Sequence, residues 1–115
     1  MLDEKLSPLT VALQMVREQL ATGAIVPMQG FGISMEPTIS SGDVVEIVAP
    51  NDLKIGDIVV VDYGRGLLVV HRIIAFHQYG ERTIVETKGD NKPESEQAPI
   101  EYVLGRVVSI NGKKI

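Results

Sequence analysis

Residues 56–76 read GDIVVVDYGRGLLVVHRIIAF. Two aliphatic runs, 58–61 and 67–70, stand on either side of Gly64-Arg65-Gly66. Each run is four residues long, far short of the roughly 20 that a membrane-spanning helix needs. β-Branched residues dominate the first run, and glycine supplies the φ values that a tight reversal requires. The stretch is predicted to be a hairpin, with strands at 58–62 and 67–76.

The same pattern continues on both sides. Short β-favouring segments occur at 24–29, 44–48, 82–87 and 102–110, separated by Ser41-Gly42-Asp43, Ile55-Gly56-Asp57 and Gly89-Asp90-Asn91. Residues 89–99, GDNKPESEQAP, hold two prolines and few apolar side chains, and are expected to form an exposed loop. Ahead of the strands, Leu6, Leu9, Leu13, Val16 and Leu20 recur at alternating intervals of three and four, which predicts an amphipathic helix over 8–21. Ser7 suits its N-cap and Pro8 its first position; Leu6 and Val11 would form a hydrophobic staple, and Gly23 would stop it.

At 115 residues the chain is expected to be one domain, 1–115, with a helix at 8–21 and a β core at 24–110. Apolar residues are 44% and aromatics only 4%, so the core must be aliphatic. The absence of cysteine excludes disulfides, thiolate metal sites and a cysteine nucleophile. A net charge of -4 without a basic cluster excludes an electrostatic footprint for nucleic acid. Histidines and carboxylates lack metal-ligand spacing, and GFGIS lacks the rest of a phosphate loop, so neither metal nor cofactor is expected. No basic region precedes a long apolar stretch, and with no export signal or span the expected location is cytoplasmic.

A serine hydroxyl becomes a nucleophile only with a positioned base and donors for the oxyanion. Ser34 lies in GFGISMEPTISSGD, residues 30–43, where Gly30 and Gly32 let backbone approach a substrate closely. His71 lies between Val70 and Arg72. In isolation, such a serine is a turn residue and such a histidine a satisfied interior group.

Four ordered motifs change those odds. SMEPTI followed by SGDVVEIV resembles the nucleophile segment shared by signal peptidase I and the self-cleaving SOS repressors. KIGDIVVVDY is similar to that superfamily's second conserved strand. VVHRII is similar to the strand bearing the base, where bacterial signal peptidases and the repressors carry lysine instead of His71. TKGDN matches the archaeal and endoplasmic-reticulum branch, which uses a serine and a histidine. The resemblance covers roughly residues 28 to 108, as a short form without the membrane anchor.

The resemblance implies a mainly β fold, a coiled sheet or partly open barrel preceded by one helix. It implies a serine endopeptidase that cuts a peptide or precursor protein beside a small P1 residue. Ser34 would be nucleophile and His71 general base, with Asp90 orienting the imidazole or Glu96 in its stead. Gly32, Ile33 and Met35 would contact substrate, along with Met28. Arg72 alternates with His71 along the strand, so a salt bridge on the opposite face is expected. Lys88 is expected to be solvated, and His77 to be a solvent-facing turn residue. Many relatives carry serine where Gly32 stands, so one side-chain oxyanion donor is missing; the Ser34 N–H would serve, with slower activity, or a different donor would substitute. The alternative is a catalytically weak or inactive peptide-binding module on the same fold. A self-cleaving regulator is disfavoured, because no DNA-binding domain or Ala-Gly scissile linker is present.

Overall fold

The computed structural model describes residues 8–64 and 66–115. One helix, α1 (Pro8–Ala21), precedes strands β1 (Val26–Gln29), β2 (Val44–Val48), β3 (Ile58–Asp62), β4 (Leu68–Tyr79), β5 (Arg82–Lys88), β6 (Ser95–Pro99), β7 (Val103–Ile110) and β8 (Lys113–Lys114). Helix α1 stops where glycine makes stopping cheap. Gly23 has φ +91°, and the N–H groups of Gly23 and Ala24 donate to the carbonyls of Leu20 and Gln19. The predicted N-cap Ser7 and staple partner Leu6 lie outside the described residues.

All strand pairings are antiparallel, in the order β1-β2-β7-β3-β4-β5-β6, with β8 added to β7. The sheet is not closed into a barrel; β1 and β6 end the path. Register shifts at Glu46/Ile47, Val60/Val61 and Ile73/Ala75 mark bulges, which bend and coil such a sheet.

Strand β3 explains why its sequence does not alternate. Ile58 and Val60 pack with Leu20, Met35, Ile39, Val45 and Ile47, while Val59 and Val61 pack with Ile73, Val85, Ala98 and Val103. Both faces of β3 are therefore buried, and both need aliphatic side chains. Leu13, Val16 and Leu20 dock α1 on the first cluster. Among the described residues, no helix is long and apolar enough to cross a membrane.

The expected loop at 89–99 is corrected in its second half, where Ser95–Pro99 pairs with β5 as an edge strand. Polar composition and a terminal proline are compatible with an edge, where one side of the backbone needs no partner. His77 is likewise not a turn residue. It lies within β4, and its Nε2 is 2.7 Å from Glu86 on β5.

Candidate active site

The segment between β1 and β2 carries Ser34. Met35 and Ile39, both buried, anchor it in the first core cluster, and Ile39 N–H donates to Met35 O at 2.9 Å. Ser34 is held half-buried beside these anchors. The turn after β5 clamps the same residues from above. Asn91 N–H donates to Ser34 O at 2.8 Å, Asn91 Nδ2 to Ile33 O at 3.1 Å, and Asp90 N–H approaches Met35 Sδ at 3.3 Å.

Gly89 is where this clamp meets the histidine. A Cβ there would stand 2.6 Å from Ser34 O and 3.1 Å from His71 Nε2. Only a residue without a side chain lets the 89–91 turn lie this close to both. His71 is 3% exposed on β4, opposite Val59 of β3. Its Nδ1 is buried and has no hydrogen-bond partner.

Ser34 and His71 line one cavity of about 430 Å³. Met28, Met35, Ile39, Val60 and Val70 supply apolar walls, and Lys92 and Glu96 bring charge to it. Burial holds the His71 pKa below its usual 6.5; the Glu96 carboxylate opposes that shift, Lys92 and Lys88 add to it, and Asp90 opposes it. The imidazole is therefore neutral at pH 7, the form that can accept a proton.

The two acidic candidates are placed differently. Both Asp90 oxygens are engaged by other partners: Arg72 Nε and Nη2 donate at 2.9 and 2.8 Å, and Thr38 Oγ1 at 2.6 Å. Arg72 Nη1 also donates to Gly56 O, so this residue ties the 89–91 turn to the start of β3. The Arg72 guanidinium holds the Asp90 carboxyl below the usual range. Asp90→Asn should cost on the order of 1–2 kcal/mol in a urea melt at pH 7, because it weakens a partly buried bidentate pair. Glu96 shares the cavity with Ser34 and His71.

Gly32 lines the cavity with φ +114°, a conformation that disfavours any side chain, so serine at this position would strain the loop. Met35 contacts the cavity from the core, whereas Ile33 is 64% exposed and does not line it. Sequence reasoning passed over Thr38, Gly89 and Lys92. The TKGDN motif contained the signal for Gly89, since a glycine beside an active-site turn often marks close backbone approach.

No protein-family model matches the chain. Individual relatives do. The chain is 40% identical over 60 residues to the signal peptidase complex catalytic subunit SEC11 of Candida tropicalis, covering 50% of this chain and 36% of the relative. The same subunit of Scheffersomyces stipitis is 38% identical, and that of Clavispora lusitaniae 35%, with the same coverage. Half of this chain is homologous to signal peptidase catalytic subunits. The chain spans about a third of the length of those curated relatives.

The homology also corrects the cytoplasmic expectation. Signal peptidase relatives of the endoplasmic-reticulum branch are subunits of a membrane-associated complex, not cytoplasmic enzymes. A missing span within these residues carries no information about compartment.

Proposed function

We propose that this chain is the catalytic core of a serine endopeptidase of signal-peptidase type, acting on precursor proteins or peptides. The observation that carries the reading is the shared cavity. Ser34, a buried neutral His71 and the Glu96 carboxylate converge on it from three separate parts of the chain. The signal peptidase relatives add support from sequence.

In this reading His71 Nε2 takes the Ser34 hydroxyl proton as Oγ attacks the scissile carbonyl. The Ser34 backbone N–H faces the developing oxyanion. Collapse breaks the C–N bond, His71 returns the proton to the leaving amine, and water hydrolyses the acyl-enzyme by the reverse proton path. Glu96 stands behind the imidazole, and Asp90 braces Arg72. Strand β1 ends the sheet, so an extended substrate can pair along its free edge beside Ser34. Gly32 and Met35, with Met28, line the apolar pocket for small side chains.

The pH dependence of kcat/KM tests the base. Only neutral His71 is active, and its pKa is lowered, so the rate should rise with pH through a midpoint below 6.5 and then level off. A midpoint above 8 would rule out His71 as the base.

A further inference from the structure

Four buried side-chain atoms among the described residues lack hydrogen-bond partners: Arg106 Nε, across Val59 from His71, and, around the second core cluster, His71 Nδ1, Thr87 Oγ1 and the Tyr63 hydroxyl. Register puts the last three together with Glu96. His71 and Ile73 lie two apart on β4, Ile73 is opposite Thr87, and Thr87 is opposite Glu96, so all four share a face. Tyr63 follows β3 on the same side. Its ring packs against the cluster of Val59, Val61, Ile73 and Val85, and meets Tyr102 edge-on at 6.4 Å and 87°. Burial raises the phenol pKa above its usual value, and the Glu96 carboxylate raises it further.

A buried polar atom left unpaired costs about 1–3 kcal/mol, and here Tyr63 and His71 both feel the charge of one carboxylate, Glu96. The carboxylate has two oxygens to give, while Tyr63 and a neutral His71 protonated on Nδ1 each have one proton to donate. Glu96 itself sits on an exposed edge strand, where a free glutamate spreads over many rotamers. Tyr63 is fixed by packing and can select among them.

We infer that Tyr63 is a positioning residue, whose hydroxyl donates to Glu96 and turns that carboxylate onto His71 Nδ1. The inference rests on reading Glu96 as the carboxylate behind His71. It assigns the bridge one oxygen for each donor and leaves Nε2 free for the Ser34 proton.

The test is the ¹⁵N spectrum of the His71 ring across pH in the wild type, Tyr63→Phe, Glu96→Gln and the double variant. Lys88, Asp90, Lys92 and Glu96 set the charge around this ring, and Arg106 lies beyond Val59 on β7. Tyr63→Phe removes one unpartnered oxygen and keeps the ring, so the fold is retained, which the same spectra verify. The wild-type neutral ring should carry its proton on Nδ1. In Tyr63→Phe that tautomer should lose its dominance and the His71 pKa should fall further, because Glu96 no longer holds it up. Turnover of a precursor peptide with alanine at P1 should fall about tenfold in kcat with KM unchanged. The double variant should match Glu96→Gln alone.

A wild-type tautomer and pKa in Tyr63→Phe would overturn the inference. If Glu96→Gln shifts His71 while Tyr63→Phe does not, the inference fails and the Glu96 assignment stands. If neither shifts it, both fail.

Discussion

Ser34→Ala is expected to lower cleavage of a precursor peptide by at least about 10,000-fold, with the melting temperature unchanged. The size follows from the chemistry. Without Oγ no acyl-enzyme forms, and the pocket and Ser34 backbone N–H can only assist direct attack by water. Folding should be spared, because Met35 and Ile39 anchor the segment and the Ser34 contacts to the 89–91 turn run through its backbone carbonyl. His71→Ala should lose a similar factor, and the two changes together should cost little more than either alone, since the residues act as one unit. Comparable losses that multiply in the double variant would mean that the two side chains act separately.

Gly89→Ala should have the next largest effect, for a steric reason. The new methyl group would lie 2.6 Å from a backbone oxygen and 3.1 Å from His71 Nε2, and a backbone oxygen cannot swing aside as a side-chain tip can. Either the 89–91 turn lifts off residues 33–35, breaking the Asn91 N–H bond to Ser34 O, or the imidazole is pushed from its place. Overpacking of this kind costs about 1–3 kcal/mol of stability. A displacement near 1 Å at the reacting groups costs about 100-fold in rate. Circular dichroism melts and kcat/KM check the two parts separately, and a Gly89→Ala variant with wild-type values of both would show that the close approach is not maintained in solution.

Much of the fold was legible because its signals are local. The runs of β3 and β4 and the glycines between them define a hairpin, and α1 carries its own stop at Gly23. Strand β6 was hidden because its ladder to β5 is a property of an edge, where polar residues and a terminal proline do no harm. His77 was misplaced for a related reason. Its segment runs on to Tyr79, and its partner Glu86 comes from the next strand.

The site divides in the same way. Ser34 and His71 were identified through motifs, and their meeting at one cavity is a consequence of β4 lying under the 89–91 turn. Arg72 takes the salt-bridge role expected of it and holds both Asp90 oxygens, while Glu96 lines the cavity. The direction of Ile33 was not readable, since side chains in an irregular loop follow no period. The burial of Tyr63 was not readable either, because its ring packs with Val85 and Tyr102 from later segments.

The most direct test of the proposed Ser34–His71 chemistry is to incubate the wild-type protein with a precursor peptide carrying alanine at P1, and to follow products by mass spectrometry beside a binding measurement on the same peptide. The site described above predicts a single cut after the alanine, accumulating over many turnovers. A peptide that binds tightly and stays intact through a long incubation would contradict it, and would leave the fold as a surface for recognising peptides.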